Sequence, residues 1–406
     1  MELNGAPTPP FRTAAKSVPR RLRGILALDD FEVAARRHLP RPIFGYVAGA
    51  AETNATLADN RAVFTEWGFA PRVLADVSQR SQATTLFGQA YAAPFGIAPM
   101  GMGALIAYRG DLVLARGAAD AHIPMIMSGS SLIRLEEVAA AAPGSWFQAY
   151  LPGEPARIAA LVDRVARAGF GTLVLTVDTA VLANRENNIR TGFSTPLRPS
   201  LRLAWDGITH PRWSLNTFLR TLTRHGMPHF ENSYAERGAP IVARNIARDF
   251  SMRDHLNWTH LQQIRRQWQG RLVVKGIMNP ADARIACDSG VDGIIVSNHG
   301  GRQLDGTVSP LRVLPEVVAV AGNIPVMLDS GLRRGTDVLK AMALGASFVF
   351  VGRPFVYAAA IGGAAGVTHC INLLGAEIDR DMGLLGINSL AELRPETLRR
   401  MGSALA

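Results

Sequence analysis

Eight short apolar runs rich in β-forming residues recur along the chain, at residues 95–98, 124–128, 146–150, 172–177, 272–275, 293–297, 325–329 and 348–352. Alanine-rich helical stretches lie between most of them, at 111–121, 155–168, 281–289 and 335–344. Strands buried on both faces read as continuous apolar runs, and a strand–helix repeat implies parallel pairing, because a parallel neighbour is reached only by a crossover. Eight such units in 406 residues predict an α/β fold, a (β/α)8 TIM barrel. The rival is a doubly wound open sheet, which wants a Gly-x-Gly-x-x-Gly turn after its first strand. The first run here is followed by Pro99-Met100-Gly101-Met102-Gly103, which does not fit.

Ahead of the repeat, residues 31–39 read as a helix ended by Pro40 and Pro42, and 60–67 as a second short helix. Residues 1–24, with Pro7, Pro9, Pro10, Pro19 and Arg20-Arg21, read as a disordered basic arm, which leaves one barrel domain over 25–399. One interval breaks the rhythm. Nearly a hundred residues separate the fourth run from the fifth. Their later part, 254–268, reads as an amphipathic helix, and 198–236 reads as an insertion after strand four.

Composition removes several classes of function. Two cysteines, Cys287 and Cys370, cannot build a disulfide framework and fit a reducing compartment. The net charge of +10 comes without a basic run interleaved with stacking aromatics, so nucleic acid is not an expected partner. The apolar run after Arg20-Arg21 covers only Ile25 to Leu28 before Asp29-Asp30 interrupts it, too short for a signal sequence. No stretch reaches the roughly 18 apolar residues of a membrane-spanning helix.

In a barrel of this kind, reactive groups belong just after the strands. The chain puts them there. Pro99, Met100 and Gly101 follow the first run, Gln148 and Tyr150 share a face of the third, and Thr176 and Asp178, then Arg185, follow the fourth. Lys275 ends the fifth. After the sixth comes Ser297-Asn298-His299-Gly300-Gly301-Arg302-Gln303-Leu304-Asp305. The double glycine lets the backbone adopt unusual angles and approach a flat ligand. A neutral imidazole can take a proton and a guanidinium can grip a carboxylate, the two needs of 2-hydroxy-acid oxidation. Asp329-Ser330-Gly331-Leu332-Arg333-Arg334 and Gly352-Arg353 end the last two runs, where this fold commonly binds phosphate.

These residues resemble the FMN-dependent 2-hydroxy-acid dehydrogenase and oxidase family over about residues 28–399. The most specific piece is Ser297 to Asp305, supported by Thr176-Val177-Asp178-Thr179, Val274-Lys275-Gly276 and Asp329 to Gly335. His210-Pro211-Arg212-Trp213-Ser214-Leu215 and Arg224-His225-Gly226-Met227-Pro228 are similar to the family's (S)-mandelate dehydrogenase branch. The resemblance implies that His299 is the base, oriented by Asp178. It implies that Arg185 and Arg302 hold the substrate carboxylate, with the hydroxyls of Tyr46 and Tyr150 nearby. It sets Lys275 against the N1–O2 edge of FMN. Pro99, Met100, Gly101, Ser128, Gln148, Thr176 and Ser297 become flavin contacts, Asp329 a contact to the ribityl chain, and Gly331, Arg333, Gly352 and Arg353 the phosphate site. No metal is implied. Loss of the α-hydrogen as hydride and its abstraction as a proton both fit these residues.

Reoxidation of the flavin separates two activities. Oxidases of the family carry alanine where this chain has Gly101; the mandelate branch resembles this chain in having glycine there, although an oxygen-using member has glycine too. The insertion mixes Arg198, Arg202, Arg212, Arg220 and Arg224 with Trp205, Trp213, Leu215, Phe218 and Leu219. Such a mixture suits the headgroup layer of a membrane. The resulting expectation is an (S)-2-hydroxy-acid dehydrogenase for an aromatic or bulky substrate or lactate. It would sit peripherally on the cytoplasmic face of the membrane, pass electrons to a quinone-type acceptor and form a homo-oligomer, a tetramer by resemblance. The alternatives are a soluble oxidase making hydrogen peroxide, with the insertion a lid or subunit contact, and a non-catalytic flavoprotein scaffold.

Overall fold

Eight parallel strands form one sheet, β1 (Phe95–Ile97), β2 (Ile126–Ser128), β3 (Trp146–Ala149), β4 (Thr172–Thr176), β5 (Arg271–Ile277), β6 (Gly293–Val296), β7 (Val326–Leu328) and β8 (Phe348–Val351). The computed structural model describes residues 18–194, 200–243 and 253–402. Hydrogen bonding runs from β2 in order to β8 and on to β1. A bridge between Ile97 and Met125, with the Ile97 amide donating to Pro124 O at 2.9 Å, joins β1 to β2 and closes the barrel. Each run foreseen in the sequence is one of these strands, to within two residues at its ends.

The strands sort their side chains by a period of two. Ile126, Trp146, Val174, Val273, Ile295, Met327, Phe348 and Phe350 pack together in the barrel interior. Leu173, Leu175, Leu272, Val274, Ile294, Val296, Leu328 and Val349 belong to the larger core between strands and helices. Leu86, Phe87 and Tyr91, from the hairpin Thr84–Leu86/Gln89–Tyr91, pack on the interior cluster. Phe87 comes so near Gly293, at the start of β6, that a Cβ there would lie 2.7 Å from Cζ of Phe87. The hairpin therefore stops the amino-terminal end of the barrel and leaves the carboxyl end for a ligand.

The segment before the barrel differs from expectation. The first helix, α1, is Leu28–His38, and the chain re-enters a helix at once, α2, Arg41–Ala48. Pro42 falls in the first turn of α2, where a missing N–H costs nothing, so it starts a helix rather than stopping one. The helix expected at 60–67 is α3, Ala55–Ala62, then a 3-10 turn, Val63–Glu66. Trp67 begins a strand paired antiparallel with Leu398–Arg400. Of the expected arm, residues 1–17 lie outside the described residues, but Arg20–Leu22 form a turn with Leu22 fully buried.

The insertion has two halves. Arg198 lies outside the described residues. The helix Leu201–Thr209 carries Leu201, Trp205 and Ile208 at a spacing that shares one face, and all three are at least 65% exposed. Pro211–Trp213, Ser214–Leu219 and Arg220–His225 run on from it. Trp213, expected at the membrane, is instead buried; it stacks on Phe218 and donates to Leu105 O at 2.9 Å. Asn232 is buried too, bonded to Ser131 O, Ile133 O and the Leu135 amide. The later half thus packs on the barrel through Trp213 and Asn232, while the first helix and, after it, Leu215 and Leu219 expose large apolar side chains. The helix expected at 254–268 is Trp258–Gln267, preceded by a short turn, Arg253–His255.

Candidate active site

One step beyond the apolar interior of the barrel, the same inward register turns polar. Two residues after Ile126, Trp146, Val174, Val273, Ile295, Met327 and Phe350 come Ser128, Gln148, Thr176, Lys275, Ser297, Asp329 and Gly352. A period of two places these seven on the floor of the open end. Above them is a cavity lined by Tyr46, Pro99, Met100, Gly101, Tyr150, Thr176, Arg185, Lys275, His299, Arg302, Asp329, Gly331, Arg333, Gly352 and Arg353. Ser128, Gln148 and Ser297 lie buried beneath it, and Asp178 stands behind His299. Every residue proposed from the sequence is thereby brought to one end of the barrel.

His299 is held on both sides. Its Nδ1 is 2.8 Å from Asp178 Oδ1 and its Nε2 is 3.3 Å from the Tyr150 hydroxyl. A carboxylate only accepts, so Nδ1 carries the proton and Nε2 presents its lone pair toward Tyr150 and the cavity. The backbone at His299 has φ 59°, a conformation non-glycine residues rarely keep. The His299 amide donating to Ser297 Oγ at 3.0 Å and the Gly300 amide donating to Ser330 Oγ at 3.0 Å hold that turn. Burial lowers the imidazole pKa; Asp178 opposes this, while Lys275 and Arg185 add to it, and the net shift is downward. Burial would raise Asp178, but the charge and hydrogen bond of His299, then Lys275, leave it lowered. The dyad at neutral pH is therefore a carboxylate and a neutral ring.

Lys275 Nζ reaches Ser297 Oγ at 2.8 Å and Asp329 Oδ2 at 3.0 Å. Burial works against its charge, yet Asp329 and Asp178 more than offset it and its pKa is raised. Arg302 donates from Nη1 to Tyr46 O and Gly49 O, both at 2.7 Å, and stacks 5.0 Å over the Tyr46 ring. Arg353 donates to Val47 O at 2.9 Å, Gly49 O and Gly300 O. Both guanidiniums thus gather the carbonyls at the end of α2, where the helix dipole favours cations. Burial, then Arg185, pushes Arg302 down to about 9, and burial, then Arg61, pushes Arg333 down to about 10. Buried cations that depress one another's pKa have too few carboxylates nearby and favour an anion in the cavity.

These residues fit FMN. Gln148 Oε1 accepts from Ser128 Oγ at 3.2 Å, and its Nε2 has no partner among the described residues; nor has Thr176 Oγ1, although both atoms are buried. Orphaned buried polar atoms at a cavity floor are groups that await a ligand. A Cβ at Gly331, with φ +91°, would lie 1.9 Å from Asn60 O, so that loop needs glycine, while one at Gly352 would press on Met100 Sδ at 3.0 Å.

Four positions escaped the sequence reading. Gln303 accepts from Arg185 Nη2 at 2.7 Å and donates to Asp178 O at 3.0 Å, tying the clamp to the dyad. Asn298 pairs its amide with that of Asn60, at 2.9 and 2.8 Å, and Asp305 accepts from the amides of Thr53, Ala55 and Thr56, capping α3. These three lay within the quoted motif. Arg253, over the Tyr150 ring at 4.6 Å, had no sequence signal at all.

Comparison with known proteins agrees with this geometry. The sequence profile of the family described as FMN-dependent dehydrogenase matches residues 35–400. The chain is 37% identical to (S)-mandelate dehydrogenase of Pseudomonas putida over 382 residues, 94% of this chain and 95% of that one. It is 39% identical to an L-lactate dehydrogenase of Xanthomonas campestris pv. campestris over 384 residues, 93% of this chain and 97% of that one. The crystal structure of the monotopic membrane protein (S)-mandelate dehydrogenase superposes with a TM-score of 0.84 at 35% identity, covering 93% of this chain and all of that one. With the profile spanning nearly the whole barrel and relatives matched end to end, the chain belongs to the FMN-dependent dehydrogenase family.

Proposed function

We propose that this enzyme oxidises an (S)-2-hydroxy acid with an aromatic or bulky side chain, or lactate, to the 2-oxo acid. The observation that carries the reading is the neutral His299 ring held 2.8 Å from the Asp178 carboxylate, opening onto a cavity rich in buried arginine. Arg302 and Arg185 bind the substrate carboxylate, and Tyr46 and Tyr150 orient the hydroxyl. His299 Nε2 accepts one proton from the substrate, and Asp178 stabilises the imidazolium that results. FMN, when bound, would take up the two electrons of the oxidation together with the second hydrogen. Gln148, Thr176 and Ser297 hold its ring edge, Lys275 supplies positive charge there, and Asp329, Arg333 and Arg353 hold its tail. Named relatives that act on mandelate and lactate support the substrate class. The test is anaerobic mixing of the yellow holoenzyme with (S)-mandelate and (S)-lactate. Bleaching of the flavin is the expected result, and no bleaching with any 2-hydroxy acid refutes the reading.

The lowered pKa of His299 sets the pH dependence. The base works when neutral, so kcat/KM rises with pH through a value below the ordinary imidazole pKa of about 6.5 and has levelled off by neutrality. A rising limb centred above that value in a pH–rate profile contradicts His299 as the base.

The acceptor and the membrane are part of the proposal. No helix among the described residues is long and apolar enough to cross a membrane. The exposed face Leu201, Trp205 and Ile208, followed by exposed Leu215, Leu219, Arg212, Arg220 and Arg224, has the make-up of an interfacial helix. The solved monotopic relative supports peripheral contact. We place that contact on the cytoplasmic face, with a quinone-type molecule as acceptor and a homotetramer as the assembly. Replacing Leu201, Trp205 and Ile208 together by serine is expected to move the protein from membranes to the soluble fraction with flavin reduction unchanged, since none of the three lines the cavity. Each buried large apolar side chain is worth about 1.5–3 kcal/mol. Unchanged vesicle binding in that triple variant refutes this face. High salt alone should release the native protein only partly, because ions do not screen apolar burial.

A further inference from the structure

Ser330 stands where glycine would be unstrained. Its φ is 80°, in the left-handed region, and Gly331 after it has φ 91°. A side chain kept in such a conformation points to a use for it. Ser330 lines the cavity, and its hydroxyl joins two loops. Oγ accepts from the Gly300 amide at 3.0 Å and donates to Asp329 Oδ1 at 2.9 Å. The direction is fixed, because a carboxylate only accepts and an amide N–H only donates.

From Asp329 the bonds close into a ring. Asp329 is buried, and its other oxygen, Oδ2, lies 3.0 Å from Lys275 Nζ. Nζ donates to Ser297 Oγ at 2.8 Å, and that oxygen also accepts from the His299 amide at 3.0 Å. The ring runs from the His299–Gly300 turn through Ser330, Asp329, Lys275 and Ser297 back to His299. It ties the loops after β6 and β7 to the end of β5. In dry surroundings bonds of such a ring reinforce one another. The Ser330 hydroxyl takes up Oδ1, which leaves Oδ2 for the lysine. Without that donor the buried carboxylate has an unmet oxygen. Turning both oxygens onto Nζ would meet it and would draw the lysine charge out of the cavity.

We propose that Ser330 is a positioning residue whose hydroxyl couples the turn carrying the base to the charge that Lys275 presents at the flavin edge. The proposal rests on the roles of His299 and Lys275 argued above and adds the residue that sets both. Sulfite is a probe that needs no hydroxy acid. Its sulfur lone pair forms a bond to N5 of oxidised FMN, the flavin bleaches, and the displaced electron pair leaves negative charge at the N1–O2 edge, where a cation stabilises it. Ser330→Gly removes the hydroxyl and relieves the backbone, so the fold is not at risk. Ser330→Ala removes the hydroxyl alone. In both holoenzymes the dissociation constant for sulfite is expected to rise about three- to tenfold, a part of what one charge-assisted bond contributes. Hydrogen exchange of the peptide spanning residues 297–303 should quicken by about tenfold as the Gly300 amide loses its acceptor. Flavin reduction by (S)-mandelate should slow by about tenfold, while binding of the matching 2-oxo acid stays within about threefold, because Arg185 and Arg302 are untouched. Unchanged sulfite affinity in Ser330→Gly would mean that the hydroxyl only props the turn, and it overturns the proposal. Weakened sulfite binding with unchanged exchange overturns it too, since the two ends are then not joined, as does loss of FMN from both variants. If no 2-hydroxy acid bleaches the wild type, the oxidation reading fails, and the sulfite and exchange measurements still decide the role of Ser330.

Discussion

His299→Ala should emerge yellow from purification and be nearly inert. On the proposed reading FMN is held by Gln148, Thr176, Lys275 and the arginine loops, none of which needs the imidazole, so cofactor content is expected to match wild type. Flavin reduction by a 2-hydroxy acid should fall by about 10²–10⁴-fold, the usual contribution of a positioned base. The loss should lie in the rate of reduction more than in substrate affinity, because the carboxylate clamp remains. Asp178→Asn should also be damaging. The amide cannot serve as the anionic partner that keeps the proton on Nδ1, and the imidazolium formed in the reaction loses its counter-charge. Stopped-flow mixing under argon measures both. Reduction within a few-fold of wild type in His299→Ala removes this ring from the chemistry.

Arg302→Lys is the second large effect. The guanidinium spans the Tyr46 and Gly49 carbonyls at 2.7 Å each and lies over the Tyr46 ring, so it fixes the end of α2 while lining the cavity. An ammonium is a point charge and cannot make the forked contact or the ring stack. The dissociation constant for substrate should rise by about ten- to hundredfold, from loss of charge-assisted bonds worth about 1.5–3 kcal/mol. Tyr46 should lose its setting at the same time. Arg185→Lys should raise the same constant, and it also breaks the contact of Arg185 with Gln303. On the proposed reading the two arginines share one anion, so the double variant should fall short of the sum of the single losses. Normal substrate affinity in both single variants would place the carboxylate elsewhere and end the hydroxy-acid assignment.

Much of this molecule could be read without coordinates, for a reason visible in particular residues. The interior strands are local and continuous: Thr172–Thr176 or Phe348–Val351 is buried on both faces, so the run lacks charge, is mostly apolar and announces itself. The site residues follow from the same periodicity. Once Val273, Ile295 and Met327 are inward, Lys275, Ser297 and Asp329 must be inward as well, at the open end. The barrel and the roster of its upper rim are thus properties of short segments, set by spacing alone.

What sequence alone misplaced depends on contacts between distant segments. Pro42 looked like a stop because proline usually ends a helix; it starts one here because α2 packs beneath Arg302 and Arg353, more than 250 residues away. Trp213 had the composition of a membrane anchor, and only the approach of Leu105 made it a core residue. Arg253 became part of the cavity because Gly153 leaves room for its turn, a fit between two loops a hundred residues apart that no local pattern records. By itself, then, the sequence determined the strands, their inward faces and the kinds of group at their ends, since these follow from periodicity within a few residues. The tertiary structure decided which cations meet, which carbonyls they gather and which helix face stays bare, since these depend on packing between elements whose spacing along the chain carries no period.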